Sequence, residues 1–190
     1  MKTAIIALDY IVDIMHPNGK IARSAQHASA RSIVQKANQA LDFARSKNWP
    51  VIMIKVGFTP DYRDQPKYSP MFGRIHEFGA LNLEGPGTQF HPDLHVKSTD
   101  FIVLKPRVSA FYGTSLDAIL RANSVEQVVL AGVSSTWAVQ STARDAHDRD
   151  YNVVVIEDAC AAASEDEHQS SMEMLGAIAK IISTEELKDL

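Results

Sequence analysis

Cysteine is almost absent from this chain, since Cys160 is the single one among 190 residues. One cysteine cannot form an internal disulfide or the paired-cysteine knuckle of a structural metal site. The sequence also has no run of roughly 18 apolar residues, which a membrane-spanning helix would need. The opening segment MKTAIIALDY is too short an apolar run for a secretory signal, because Asp9 interrupts it. These absences predict a cytoplasmic protein with no membrane partner.

Positive charge is also in short supply. The chain carries 19 Lys and Arg against 23 Asp and Glu, which gives a formal net charge of -4. A protein that binds nucleic acid needs a basic excess to neutralise phosphates, so nucleic acid is not the expected partner. A small-molecule substrate fits better. The length of 190 residues and the hydrophobic fraction of 45% suit a single domain over residues 1–190.

Short runs rich in Val and Ile recur along the chain. They are Ala4–Leu8, Val51–Val56, Phe101–Leu104, Val128–Ala131, Val153–Ile156 and a weaker Ile178–Ile182. Nearly continuous apolar runs of this length are typical of parallel strands buried on both faces. Helical patterns lie between them, at about Ala28–Ser46, Ser115–Ala122, Thr136–Asp148 and Glu165–Leu175. The alternation predicts a three-layer α/β/α sandwich with a mainly parallel sheet of about six strands, a Rossmann-like fold.

One segment, residues 57–99, breaks this alternation. It is rich in proline and glycine, and it shows little hydrophobic periodicity. A loop of roughly forty residues without regular structure is uncommon in a compact domain. It is either an irregular surface excursion or a lid that contributes to a binding site, and we favour the lid because such loops often carry function.

Three predicted strands end in residues with useful chemistry. Asp9 follows the first strand, Lys105 closes the third, and the fourth runs into the turn that begins at Gly132 and leads to a helix. In open α/β sheets, ligands bind beyond the carboxyl ends of the strands. Each residue alone has a structural explanation, such as a turn or a helix cap. Together they predict one site, in which Asp9 and Lys105 lie within about 4 Å of each other, close enough for an opposite charge to favour the ionised carboxylate.

These segments resemble the isochorismatase-like (cysteine hydrolase) superfamily, which includes nicotinamidases, N-carbamoylsarcosine amidases, biuret hydrolases and isochorismatases. The resemblance rests on the strand that ends in Asp9, on the stretch KPRVSAFYGTSL from Lys105, and on GVSSTWAV followed by STARDA. It extends from Thr3 to about Ile182. It implies the isochorismatase-like hydrolase fold, a parallel sheet of about six strands with helices on both faces. It also implies a homo-oligomer, because members of the family are commonly oligomeric.

The resemblance implies an Asp–Lys–Cys triad, with the Asp at Asp9, the Lys at Lys105 and the Cys at position 138. Here that position holds Ala138, which has no nucleophilic atom. Acyl-enzyme formation at this position is therefore excluded. The resemblance further implies a cis peptide between Val133 and Ser134. It orients backbone N–H groups, at Ser134 and Ala138, towards a hole for an anion at the helix N-terminus.

Three explanations of Ala138 stay open. The chain is an engineered Cys-to-Ala variant of an amidase or ureide hydrolase, a non-catalytic binding protein on the same fold, or a member of a branch that uses no thiol. We favour the last. In it, Asp9 acts as general acid or base, as it does in true isochorismatases, and Lys105 holds Asp9 and stabilises negative charge.

The remaining expectations concern the pocket and the other reactive side chains. The aromatic residues expected to line the pocket are Phe58, Phe111, Tyr112 and Trp137. Cys160 is expected to be a buried packing residue. Serine catalysis at Ser134 or Ser135 is disfavoured, because no histidine base stands beside them in the sequence. We expect no metal and no other cofactor, since the nicotinamidase Asp-x-His pair is missing from residues 56–63 and His76, His91 and His95 lack ligand spacing.

Overall fold

A six-stranded, entirely parallel sheet forms the centre of the computed structural model, which describes residues 1–190. Its strands are β1 (Thr3–Leu8), β2 (Val51–Val56), β3 (Phe101–Lys105), β4 (Gln127–Gly132), β5 (Asn152–Ile156) and β6 (Lys180–Ile182). Their order across the sheet is β3-β2-β1-β4-β5-β6. Each predicted apolar run forms a strand, so the α/β fold expected from the sequence is confirmed.

Seven helices connect or flank these strands. They are α1 (Val12–Met15), α2 (Ala25–Ala30), α3 (Ile33–Ser46), α4 (Ile75–Phe78), α5 (Leu116–Ala122), α6 (Gln140–His147) and α7 (Glu165–Leu175). A π-helical turn covers Ser135–Val139, and short 3-10 turns cover Pro86–Thr88, Glu157–Ala159 and Thr184–Asp189. None of the helices is both long and apolar enough to cross a membrane.

The core consists of two hydrophobic layers, one on each face of the sheet. Strand β1 shows why its sequence is continuously apolar: Ile5 packs with α3 in one layer, while Ile6 packs with α5, α6 and α7 in the other. Alternate side chains of a strand point to opposite faces, so a strand covered on both sides needs apolar residues throughout. The sheet and its two helical layers form the predicted α/β/α sandwich.

The helix predicted as one unit over Ala28–Ser46 is wrong in its first part. The chain forms α2 and α3 as separate helices, and Ser32 between them takes a left-handed conformation with φ of 52°. Arg31, next to this break, donates hydrogen bonds to the Glu157 carboxylate and to the Cys160 carbonyl. These are contacts with a distant part of the chain, which helical periodicity does not report.

The helix predicted from Thr136 to Asp148 begins differently from the prediction. Its first turn is the π-helical segment Ser135–Val139, in which the Val139 N–H donates to the Ser134 carbonyl at 3.2 Å. Regular α-helix then continues as α6. Wide turns of this kind often occur at functional sites.

Residues 57–99 form turns, α4 and one 3-10 turn, and they pack around a small core of their own. Phe58 and Phe72 meet edge to face within it, with ring centroids 5.5 Å apart. Asp13 of α1 fastens the segment, because its buried carboxylate accepts the Leu81 N–H at 2.7 Å. A Cβ at Gly87 would overlap this carboxylate, so only glycine allows so close an approach. The segment is irregular but closely packed.

The topology brings the informative strand ends to one place. The strand order reverses between β1 and β4, and ligands of doubly wound sheets bind at such a reversal. Leu8 at the end of β1 pairs with Gly132 at the end of β4, and Val56 of β2 pairs with Lys105 of β3. The carboxyl ends of four adjacent strands therefore lie along one edge of the sheet.

Candidate active site

Asp9 and Lys105 form a buried ion pair at this edge. The Lys105 Nζ lies 2.7 Å from Asp9 Oδ2, and only 2% and 3% of the two side chains are exposed. The predicted contact is confirmed. Lys105 also donates to the Val108 carbonyl at 2.6 Å, which fixes the position of the ammonium group.

Asp9 is held by its own backbone as well as by its partners. It directly follows β1 and has a φ of 53°, a left-handed conformation that Asp tolerates better than most side chains. Its other carboxylate oxygen, Oδ1, accepts the Val56 N–H at 2.8 Å. Backbone conformations of this kind concentrate at functional sites. Both oxygens of Asp9 are thus fixed by strands β2 and β3.

Burial raises the pKa of the Asp9 carboxyl above its ordinary value, because the charged form loses its hydration. The Lys105 ammonium and the Val56 N–H act in the opposite direction and stabilise the carboxylate. The net direction is upward. A carboxyl group with a raised pKa is easier to keep protonated, which is what a general acid requires.

The turn after β4 lies directly beside Asp9. Gly132 has a φ of 156°, and a Cβ there would stand 2.4 Å from the Leu8 carbonyl oxygen, so β4 and β1 approach in a way that requires glycine. The Val133–Ser134 peptide is cis, as expected. The neighbouring N–H groups of Val133 and Ser135 donate to Leu8 and Ala161 carbonyls, whereas the Ser134 N–H has no acceptor within the chain.

Ala138 lies in the π-helical turn and lines a cleft above the Asp9–Lys105 pair. It is 4% exposed and packs with the hydrophobic layer that contains α6. Its methyl group is the only side-chain atom at the position where the resemblance places a thiol. The structure thus brings together Asp9, Lys105 and position 138 around one opening.

The cleft has a volume of about 560 Å³, within the usual range for small-molecule sites. Residues 57–99 supply one of its walls, through Pro70, Met71, Phe72, Ile75, Phe78 and Leu81. The cleft is also lined by residues of the turn after β4, namely Val133, Ser134, Thr136, Trp137 and Ala138. The irregular segment is therefore part of the cleft.

Three of the four aromatic residues expected in the pocket do not line it. Phe58 is fully buried in the small core of residues 57–99, Phe111 stacks on Tyr151 with centroids 6.1 Å apart, and Tyr112 points into solvent with 61% exposure. Their position in the sequence was the only support for this expectation, and in the folded chain these three side chains pack or point away from the cleft. Trp137 does line the cleft, half exposed at its rim. The aromatic residues of the wall are instead Phe72 and Phe78.

A histidine contacts Ser135, contrary to the expectation from the sequence. His168 of α7 is fully buried; its Nδ1 lies 2.8 Å from Ser135 Oγ, and its Nε2 lies 3.3 Å from Glu157 Oε2. Thirty-three residues separate Ser135 from His168 in sequence, so adjacency gave no signal. Ser135 is fully buried and does not line the cleft. The array therefore lies behind the cleft wall, without access to a ligand in it.

Cys160 is buried between the strands and the helices, as expected. Burial raises the pKa of its thiol to about 12, so the thiolate is scarce near neutral pH. No group of three or more His, Cys, Asp or Glu side chains is arranged to hold a metal ion.

Comparisons with known proteins agree with this architecture. Residues 3–186 match the isochorismatase domain family. The chain is 32% identical over 163 residues to the uncharacterised isochorismatase family protein YecD of Escherichia coli O157:H7, covering 84% of this chain and 83% of that protein. It is 30% identical over 158 residues to the ureidoacrylate amidohydrolase RutB of Acinetobacter baylyi, covering 76% of this chain and 64% of that protein. The solved structure of N-carbamoylsarcosine amidase from Thermoplasma acidophilum superimposes with a TM-score of 0.80 at 27% identity, covering 99% of both chains.

Proposed function

The chain belongs to the isochorismatase family, and we propose that it is a hydrolase acting on a small molecule by acid–base chemistry at Asp9. One observation carries the proposal: a buried carboxyl group, paired with an ammonium group at 2.7 Å, lines a cleft of suitable size. Asp9 is the catalytic acid and base, and Lys105 positions it and stabilises negative charge. Ala138 at the usual nucleophile position excludes a covalent intermediate there.

The reaction needs only a proton transfer and a water molecule. Protonated Asp9 gives its proton to the leaving nitrogen of an amide-type substrate or to the vinyl carbon of a vinyl ether. Water adds to the electrophilic carbon, the bond from this carbon to the leaving nitrogen or oxygen then breaks, and the proton that the water loses returns to the Asp9 carboxylate. Lys105 compensates the negative charge of Asp9 after the first transfer. The raised pKa of Asp9 supports this cycle, because the protonated form remains available closer to neutral pH.

The turn after β4 supplies the electrostatic part of the proposal. The N–H groups at Ser134 and Ala138 lie in the turn that opens the helix α6, and the Ser134 N–H has no acceptor in the chain. Fixed N–H donors at such a position stabilise an oxyanion that forms during the reaction. In this proposal the Val133–Ser134 peptide therefore helps to bind the substrate oxygen.

The bond attacked is proposed to be an amide-type carbon–nitrogen bond or a vinyl ether. The relatives support the first class, since one is named an amidohydrolase and another an amidase. The resemblance to true isochorismatases supports the second. Residues 57–99 act as the lid of this site, which is supported by the wall that they contribute to the cleft.

A second candidate function is a non-catalytic binding protein. The observation that favours it is Ala138, which lines the cleft and brings no reactive atom to it. Such a protein would keep the fold, the cleft and the Asp9–Lys105 pair. Turnover, not geometry, separates the two functions.

The test of the proposed function is a turnover screen of small amides, ureides and vinyl ethers with the wild type and with Asp9→Asn. We expect wild-type turnover that declines as pH rises through the raised pKa of Asp9, because the proton donor is lost. Asp9→Asn should abolish turnover. Asp158→Asn is the matched control, since Asp158 also pairs with a lysine, Lys36 at 3.1 Å, but lies outside the cleft. Turnover that survives Asp9→Asn would exclude the acid–base role, and no turnover on any substrate would favour the binding protein.

The proposal also includes the assembly and location of the protein, which we expect to be a homo-oligomer in the cytoplasm. The edge strand β3 supports the oligomer, because Phe101, Ile102 and Leu104 are large apolar side chains and are 41–47% exposed. A free sheet edge with apolar side chains is prone to pair with another chain.

A further inference from the structure

The charged side chains that line the cleft cancel in pairs. There are four of them, and Asp9 pairs with Lys105 at 2.7 Å. Arg23 and Glu167 face each other at the rim, with 3.9 Å between Arg23 NH2 and Glu167 Oε1. A charged ligand in the cleft would find no side chain of opposite charge that lacks a partner, so only the uncharged donors of the turn could compensate the hydration that it loses.

The walls of the cleft are apolar. Thirteen of its 21 lining residues are hydrophobic. Phe72, Ile75 and Leu81 form a buried part of the wall, while Met71 and Phe78 are 39% and 52% exposed at the mouth. Large apolar side chains exposed around a concave site mark a surface that a ligand covers.

Apart from Arg23, Ser24 and Glu167, the polar groups that line the cleft lie at the ends of the strands and in the turn after β4. They are the Asp9–Lys105 pair, the Ser134 N–H and the hydroxyls of Ser134 and Thr136, which lie 3.1 Å from each other. These groups can donate to or accept from one neutral carbonyl or amide. Polar groups at one end and apolar walls at the other therefore define the orientation of a ligand.

From these observations we infer that the cleft takes an uncharged small molecule with one amide- or carbonyl-type head and a bulky aliphatic or aromatic body. The head lies at Asp9 and the Ser134 turn, and the body lies against Phe72, Ile75 and Phe78 of residues 57–99. The inference rests on the proposed function for the location of the reacting head. It adds the class of substrate, which is neutral and apolar and not a small anion.

The experiment uses three probes that separate head, body and charge. Phenylacetamide has both the neutral amide head and an apolar body, acetamide has the head alone, and phenylacetate has the body with a negative charge. Binding is measured by isothermal titration calorimetry, with wild type and with Asp9→Asn, so that turnover does not affect the readout. We expect the Kd of phenylacetamide to be about tenfold lower than the Kd of acetamide or of phenylacetate.

A matched pair of variants tests the position of the body. Phe78→Ala removes an exposed ring of the wall and should weaken phenylacetamide binding by about fivefold, in keeping with the loss of part of an apolar contact. Tyr68→Ala is the control, because Tyr68 is fully exposed on the same segment but does not line the cleft. It should leave the affinity unchanged. Both side chains are exposed, so neither change should unfold the protein.

The results separate this inference from the proposed function. Tighter binding of phenylacetate, lost in Arg23→Gln, would overturn the inference and show that Arg23 recognises an anion. Absence of binding by all three probes would overturn it as well. If phenylacetamide binds as expected while the wild type turns over no substrate, the ligand class stands and the hydrolase proposal fails. If turnover depends on Asp9 but the substrates are anions, the hydrolase proposal stands and the inferred ligand class fails.

Discussion

Ala138 is the single residue on which the proposed function depends most. It stands at the start of a helix, where the helix dipole favours a thiolate, and it lines the cleft with Asp9 and Lys105. Cys160 cannot substitute for a thiol there, because it is buried and burial raises its pKa to about 12. The chemistry at position 138 therefore distinguishes two possibilities. The cleft is either an amidase site that lacks only its nucleophile or a site for chemistry that needs no thiol.

Ala138→Cys should create a reactive thiol in this cleft. We expect the variant to be alkylated by iodoacetamide at pH 7, and about tenfold faster than a cysteine of ordinary pKa, because each unit by which the pKa falls towards neutrality raises the thiolate fraction by that factor. The modified residue is identified by mass spectrometry. Weak amidase activity of the variant would indicate that the rest of the amidase site is intact.

Met71→Cys is the matched control, since Met71 lines the same cleft outside any helix. It should react at the ordinary rate. Equal rates for the two variants would contradict an activating environment at position 138. Alkylation of the wild type would show that Cys160 is accessible, against its burial.

At the scale of elements, a polar network joins the turn after β4 to α7 and to the 3-10 turn Glu157–Ala159. Ser135 contacts His168 at 2.8 Å, His168 contacts Glu157 at 3.3 Å, and Glu157 accepts from Arg31 at 2.6 Å. Buried networks of this kind fix the elements that carry them, provided that every member has a partner. No buried side-chain nitrogen or oxygen in this protein lacks a hydrogen-bond partner. The network thus holds the turn from behind while the cleft faces its other side.

We expect this network to make the fold sensitive to acid. Burial, together with the Arg31 charge, lowers the pKa of His168 below its ordinary value of 6.5. The unfolded chain therefore binds a proton at a higher pH than the folded chain does, so stability is present above pH 6.5 and is lost as pH falls from there towards the folded pKa. We expect the free energy of unfolding, measured in urea, to decline between pH 7 and pH 5.

His168→Gln keeps hydrogen-bonding capacity but removes the titration. It should lower stability at pH 7 by about 1–3 kcal/mol, the cost of disturbing a buried hydrogen bond, and it should reduce the decline between pH 7 and pH 5. His147→Gln is the control, because His147 is half exposed at the end of α6. An unchanged pH dependence in His168→Gln would assign the acid sensitivity to other groups.

At the scale of the whole molecule, the sheet has one open edge with exposed apolar side chains. Strand β3 lies at that edge, and Ile102 is 47% exposed on it. If this edge forms the contact between copies, sedimentation equilibrium should show a wild-type oligomer, and Ile102→Lys should shift it towards monomer, because a charged side chain on an edge strand opposes pairing.

Met174→Lys is the matched control for this experiment. Met174 is 60% exposed, but it lies on α7, away from the edge. The control should leave the assembly unchanged. A monomeric wild type, or an oligomer that resists Ile102→Lys, would contradict the role of this edge.

Much of the fold was readable from the sequence, for one physical reason. A strand covered on both faces must be apolar throughout, so six short runs predicted six strands and a parallel sheet. Asp9 and Lys105 were readable as partners because the carboxyl ends of parallel strands meet at one edge. Helix boundaries were less predictable: a periodic pattern breaks at Ser32, next to Arg31, which binds residues more than 120 positions away.

The sequence by itself thus determined the sheet and the Asp9–Lys105 pair, because these depend on local pattern and on the order of strands. That position 138 is the place of the nucleophile is what the resemblance implies. Only the tertiary structure decided what lines the cleft. Phe58, Phe111 and Tyr112 do not line it, whereas residues 57–99 form one of its walls. His168 contacts Ser135, which lies outside the cleft lining. Such contacts depend on how irregular chain packs against a distant helix or strand, and no periodicity in the sequence records that packing.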